Sequence, residues 1–263
     1  MNTHSEPFVL CARDARGIVT LTLNRPAAFN ALSEGMLAAL QTELDAVDTD
    51  PGARVVVLAA AGKAFCAGHD LKEMRAEPSL GYYEKLFAQC SRVMLRVQTL
   101  SVPVIARVQG IATAAGCQLV AMCDLAVAAD TAKFAVSGVN LGLFCSTPSV
   151  ALARNVPRKQ AMEMLLTGDA IDAGRAREIG LVNRVVPAAA LDDAVDALAR
   201  QIAGKSPLTL AIGKEAFYRQ AELDLDSAYA YASEVMTRNM LARDAEEGID
   251  AFLGKRPPVW CGN

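Results

Sequence analysis

Histidine occurs only twice in this 263-residue chain, at His4 and His69, and no pair of cysteines stands at metal-ligand spacing. A zinc centre is therefore not expected. Basic residues are not in excess either: 26 Lys and Arg face 29 Asp and Glu, for a net charge of -3, and no run of Lys and Arg occurs. That leaves no electrostatic footprint for nucleic acid or for a membrane surface. No apolar run is long enough to span a bilayer. The opening MNTHSEPF lacks a basic stretch followed by an apolar one and contains Glu6, which a transit peptide would avoid. A bacterial-type cytoplasmic location is the expectation, with the mitochondrial matrix as the alternative if a transit peptide is missing from this sequence. The seven cysteines are odd in number, scattered, and set mostly in apolar runs. They read as free thiols of a reducing compartment rather than as disulfides.

What the chain does have is apolar bulk: 52% hydrophobic and 21% charged residues suit one large domain with an appendage, or two modest domains. GIVTLTLNRP (17–26) has the β-branched character of a strand and ends at a proline, and ALSEGMLAALQTELDAVDTD (31–50) reads as an amphipathic helix with Ser33 as its N-cap. ARVVVLAAA (53–61) is a continuous apolar run, the pattern of a strand covered on both faces. The order then repeats, with a helix over 82–100, a buried strand over 102–110, a short apolar helix over 114–123 and a strand over 124–130. Such alternation predicts an α/β fold with mainly parallel strands. Beyond about residue 190 only three helical stretches follow, and a helical appendage of this kind has to pack on something, so it is expected to serve oligomerisation.

Two segments place backbone amides where an anion could sit. In KAFCAGHDLKEM (63–74) and in GIATAAGCQL (110–119) a turn of small residues leads into a helix. Helix N-termini carry unpaired N–H groups and partial positive charge, so two that converge would form an oxyanion hole. Spacing alone equally allows two ordinary tight βα turns.

These two segments, together with NRPAAFNAL (24–32), LTGDAIDAGRAREIGLVNRVVP (166–187) and EGIDAFLGKRPPVW (247–260), resemble in order the signatures of the crotonase, or enoyl-CoA hydratase and isomerase, superfamily, over nearly the whole chain. The resemblance implies a ClpP-like spiral of ββα units over residues 1–190 that binds acyl-CoA, and a helical region over 191–263 that builds trimers or dimers of trimers. It implies an acyl-CoA or enoyl-CoA thioester as ligand, with coenzyme A as part of the substrate, and no separate cofactor or metal. The oxyanion-hole donors carry over to the backbone N–H groups of His69 and Ala115. The coenzyme is expected along Arg25 to Asn30, including Ala28, and along Asp70, Leu71 and Lys72, with Phe252 and Lys255 closing over the nucleotide end. Simple packing for Phe252 and a solvated charge for Lys255 are the competing expectations.

The sequence departs from the family where the chemistry should be. Hydratases of the family use two glutamates, and their positions fall here on Gln118 and Gly138. A glutamine can bind water but cannot accept and return a proton, and a glycine can do neither. Since acid–base catalysis contributes ~10²–10⁴-fold, ordinary hydration should be badly impaired while thioester binding survives. The family's glycine-rich loop has also become Phe144, Cys145, Ser146, Thr147 and Pro148. Cys145, Ser146 or Ser137 could have taken over, yet the only histidine within the motifs is His69. Packing explains Cys145 equally well. Three functions follow: an acyl-CoA enzyme of the hydratase and isomerase type working through an enolate, a non-catalytic acyl-CoA binder or regulatory subunit of fatty acid metabolism, and an oligomeric scaffold. If the pocket lacks only its acids, Gln118→Glu with Gly138→Glu should restore hydration.

Overall fold

The computed structural model describes residues 6–263, so His4 lies outside the described residues. The chain opens with β1 (Val9–Arg13), β2 (Ile18–Leu23) and α1 (Glu34–Asp48). The Ser33 hydroxyl caps α1 by accepting the Met36 N–H at 3.1 Å, as its position before an amphipathic run predicts. Three ββα turns follow: β3 (Val55–Ala60), β4 (Ala64–Cys66), α2 (Leu71–Ala76) and α3 (Leu80–Thr99); β5 (Val104–Val108), β6 (Ile111–Thr113) and α4 (Ala115–Met122); β7 (Leu125–Ala129), β8 (Lys133–Ala135), α5 (Ser146–Asn155) and α6 (Arg158–Thr167). The core closes with β9 (Ile171–Asp172), α7 (Ala173–Glu178) and β10 (Arg184–Val186).

Each turn gives its first strand to one sheet and its second to another. The larger sheet runs β1-β2-β3-β5-β7-β10 and the smaller β4-β6-β8-β9. Neighbouring strands from β2 to β10 in the larger sheet are parallel, and β4, β6 and β8 pair in parallel in the smaller one. Parallel crossovers repeated with this division wind the chain into a spiral, and stack the loops after successive second strands above one another.

The apolar run of β3 is buried on both sides, as its composition predicts. Val56 and Leu58 point into the main core with Leu37, Leu40 and Leu44 of α1, and Val55 and Val57 point to the other face. That face is covered by α8 (Leu191–Ala203) through Leu191, Val195, Leu198 and Ala199. Helix α8 thus belongs to the packing of the large sheet, although the strands stop before it.

Beyond it lie α9 (Pro207–Gln220), α10 (Leu225–Met240) and α11 (Arg243–Leu253). The stretch from 226 to 255 reads as one helix in the sequence but breaks at Leu241 and Ala242. Asp244 supplies a reason: its buried carboxylate accepts the Ser206 hydroxyl at 2.6 Å and the Cys261 N–H at 2.7 Å, and its own N–H donates to Asn263 O at 3.0 Å. A buried carboxylate needs such donors, and they tie the tail to the start of α9. None of the described helices is long and apolar enough to cross a membrane.

Candidate active site

The site forms where the loop after β4 meets the loop after β6. Gly68, in the left-handed region at φ +87°, lies against the second loop so closely that a Cβ there would stand 2.9 Å from Ala114 Cβ and 3.3 Å from Ala115 N. Only a glycine allows both the conformation and the approach. On one side of this contact is the His69 N–H, on the other the Ala115 N–H at the first turn of α4. The short bridge to Leu32 uses Gly68 O and Asp70 N, which turns the intervening His69 N–H away from it. Ala115 opens its helix, so it has no intrahelical acceptor. Among the described residues neither N–H donates to any group.

Ala114 pays for this arrangement. Its backbone sits at φ 49° and ψ -119°, a region that side chains avoid. Strain of this kind costs on the order of 1–3 kcal/mol, and it aims the Ala115 N–H outward from α4. Ala114→Gly is expected to raise the melting temperature by roughly 2–4 °C, the equivalent of about 1 kcal/mol in a chain of this size; a lower melting temperature would show that the turn is unstrained.

The expected coenzyme-binding segments assemble around this turn. Asn30 is fully buried, its amide donating to Ala61 O and Ala64 O at 2.9 Å each while its carbonyl accepts the Arg25 N–H at 2.8 Å. Ala67 N–H donates to Phe29 O, and Leu32 N–H to Gly68 O, so the 24–32 loop is sewn to the 66–70 turn. Asp70 caps α2 and accepts Arg25 Nη1 at 2.8 Å. Burial raises its carboxyl pKa, but Arg25 and the Lys72 and Glu73 amides outweigh that and hold it below the ordinary value. Ala28 lies in a short 3-10 turn, while Leu71 and Lys72 are exposed on α2. Lys63, not singled out in the sequence, adds a cation whose Nζ stands 5.2 Å from the Phe29 ring centre. Phe252 and Lys255 are not brought here within one chain. Both are exposed, and Phe252 lines a C-terminal groove with Met236, Met240, Ile249 and Trp260.

The two positions that the resemblance matches to the family's glutamates differ. Gln118 is buried on α4, one turn after Ala115, and its Oε1 has no partner. Side chains of a helix lean toward its N-terminus, so Gln118 leans toward the Ala115 turn. Gly138 is closed: a Cβ there would stand 2.6 Å from Leu143 O and 2.8 Å from Cys145 Sγ. The rebuilt loop from 143 to 145 fills the place, and Cys145 Sγ accepts the Gly138 N–H at 3.3 Å. Burial pushes the Cys145 thiol up, against a small pull from that N–H. Ser137 Oγ and Thr113 Oγ1 pair at 3.0 Å, and Ser146 is exposed.

Helix α3 supplies residues that sequence reasoning missed. Phe87 meets the His69 ring edge to face at 5.5 Å, Tyr83 stacks on Phe87, and the buried Tyr82 hydroxyl has no partner. Only the apolar face of α3, readable from its periodicity, could have pointed to them.

A two-sheet ββα spiral carrying adjacent, unpaired N–H groups at its βα turns defines the crotonase class of fold. The chain belongs to the enoyl-CoA hydratase/isomerase family, whose model matches residues 13–263. It is 49% identical over 258 residues, 97% of this chain and 84% of the relative, to human mitochondrial enoyl-CoA hydratase domain-containing protein 3. It is 37% identical to 2,3-dehydroadipyl-CoA hydratase of Escherichia coli, over 93% of this chain and 95% of that one. Among solved structures, an enoyl-CoA hydratase of Mycobacterium smegmatis superposes with a TM-score of 0.96 at 63% identity, over 97% of this chain and 99% of that one. GIATAAGCQL followed by GVNLGLFCSTPSVALAR is the combination in the sequence that points to the human relative.

Proposed function

We propose that the protein binds an acyl-CoA thioester and stabilises an enolate of it on the His69 and Ala115 N–H groups, and that hydration of a double bond is not its reaction. The observation that carries this reading is the pair of neighbouring, unpaired N–H donors beside two positions without a carboxylate. Each such donor is worth roughly 2.7–4 kcal/mol when charge develops on the oxygen. Lys63 and Lys72 give the approach positive charge for the phosphates of the coenzyme, while Arg25 is paired with Asp70. The names of the relatives, hydratases of CoA esters among them, support the ligand class.

A non-catalytic acyl-CoA binder is the second reading, favoured by the filled Gly138 position. Titration with butyryl-CoA and a hydration assay with crotonyl-CoA test both. Binding is expected, with hydration slower by about 10²–10⁴-fold than that of the Escherichia coli relative run alongside. Absence of binding would sink the proposal, and hydration at the relative's rate would overturn its second half.

The exposed apolar side chains of α10, of α11 and of the break between them, among them Leu225, Tyr229, Met236, Leu241 and Phe252, are the surface on which we place the trimer or dimer of trimers. Seven free cysteines fit a reducing compartment, cytoplasm or matrix, and the human relative's name places that protein in mitochondria.

A further inference from the structure

We infer that Gln109 is a positioning residue, whose side-chain amide sets the spacing of the His69 and Ala115 N–H groups so that both can hold one thioester oxygen. The inference rests on the proposed binding mode and adds to it the residue that keeps the two donors in register.

The two donors stand at the tips of two arms. One arm is β4 and its loop, from Ala64 to His69, and the other is β6 and its loop, from Ile111 to Ala115. The tips touch where Gly68 packs on Ala114 and Ala115, but among the described residues no hydrogen bond joins 67–70 to 114–116. Nearer the base the pairing is short: Ala64 stands opposite Ile111 and Cys66 opposite Ala112, so one strand gains a residue on the other between the two pairs. Two register pairs with an irregularity between them leave little to resist a slip. A slip of one residue would carry one donor about 3.3 Å past the other, more than the length of a hydrogen bond.

Gln109 ties the bases of the arms together. It lies two residues before Ile111, and its Nε2 donates to Ala60 O at 2.8 Å, Gly62 O at 3.1 Å and Ala64 O at 3.0 Å. Those carbonyls run from the end of β3 through the turn to the first residue of β4, so the second arm is fastened to the first just where their pairing begins. Gly110 closes the tie, lying so near the turn that a Cβ there would stand 2.0 Å from Lys63 O. Ala64 O accepts Asn30 Nδ2 as well, at 2.9 Å, which fastens the 24–32 loop to the same atom.

The amide holds this orientation at a cost. With Nε2 on three carbonyls, Oε1 is buried and has no partner among the described residues. Turning the amide over would set its oxygen against theirs. A buried acceptor without a donor costs free energy and calls for an explanation. An apolar side chain of the same length would fill the space without that cost, so the donors, and the register they fix, are the explanation.

The test is infrared spectroscopy of butyryl-CoA carrying carbon-13 at its thioester carbonyl, bound to the full chain, with affinities for butyryl-CoA and for free CoA measured calorimetrically on the same proteins. A carbonyl that accepts both N–H groups is polarised and its stretching frequency falls, which reports the two donors rather than the stability of the fold. Gln109→Met keeps the length of the side chain and removes its donors. Wild type is expected to lower the frequency on binding. Gln109→Met is expected to lose most of that lowering and about 2–10-fold of the preference for butyryl-CoA over CoA, the worth of one neutral hydrogen bond. Its affinity for CoA is retained, because Asn30 still holds the 61–64 turn. A wild-type lowering in Gln109→Met overturns the inference and leaves the proposed function standing. Should that variant fail to fold, Gln109→Asn, whose amide is one methylene too short to span the turn, is read in the same way. Wild-type protein that does not bind butyryl-CoA, or binds it with the frequency unmoved, overturns the proposed function and the inference with it.

Discussion

Gln118→Glu combined with Gly138→Glu is expected to yield an unstable protein rather than a hydratase. The Cβ of residue 138 would arrive 2.6 Å from the Leu143 carbonyl and 2.8 Å from Cys145 Sγ. The sulfur can turn aside, but the carbonyl is backbone, held because the Leu143 N–H donates to Gly138 O at 3.0 Å. Overpacking of this sort costs about 1–3 kcal/mol, and a buried carboxylate without donors adds a comparable amount. A fall of roughly 6–12 °C in melting temperature corresponds to about 3 kcal/mol in a chain of this length. Gln118→Glu alone places one acid in a buried position, where desolvation raises its pKa, and still leaves no second acid. A thermally stable double variant that hydrates crotonyl-CoA would show that the 143–145 loop moves away freely and that the pocket had lost only its acids. The simple restoration suggested by the sequence is thus opposed by the way the rebuilt loop folds.

That contrast marks where sequence legibility ends. The long elements were readable because burial imposes a pattern: β3 is apolar at every position since α1 covers one face and α8 the other. Ser33 was readable because a cap is a local interaction. The strands of the smaller sheet, β4, β6, β8 and β9, are two or three residues long, too short for any period, and only the resemblance implied them. Motifs likewise marked His69 and Ala115, yet the strained backbone of Ala114 and the closure of Gly138 depend on contacts between segments far apart in sequence. The Asn30 amide shows the same limit: its type suggests a loop, while its work, bridging Ala61 and Ala64, is tertiary. Phe87 and Tyr82 fall within the helix read over 82–100, and nothing in their spacing marks the neighbours they meet, His69 for Phe87 among them.

Lys214→Met is expected to lower the melting temperature by roughly 6–20 °C while leaving butyryl-CoA affinity at 25 °C unchanged. Lys214 of α9 has a side chain only 6% exposed, and its Nζ uses its donors on Asp124 Oδ2 at 2.7 Å and on Val97 O and Val102 O at 3.0 Å each. Burial lowers its pKa, and Asp124 opposes that by favouring the charged form. Asp124 stands where α4 gives way to β7, accepts the Val104 N–H at the start of β5, and also receives the Tyr218 hydroxyl of α9 at 2.8 Å. One cluster therefore joins the end of α3, the starts of β5 and β7, and α9. Methionine keeps the volume but leaves a buried carboxylate without its counter-charge and two carbonyls without a donor. Breaking a buried pair from one side costs about 3–5 kcal/mol, or 2–4 °C for each in a chain of this size. The His69 and Ala115 N–H groups lie at the opposite end of α4, held by Gly68 and the 24–32 loop, which do not use Lys214. Loss of CoA-ester affinity in a folded Lys214→Met protein would show that α4 transmits strain along its length, and that the Ala115 turn depends on how its far end is anchored.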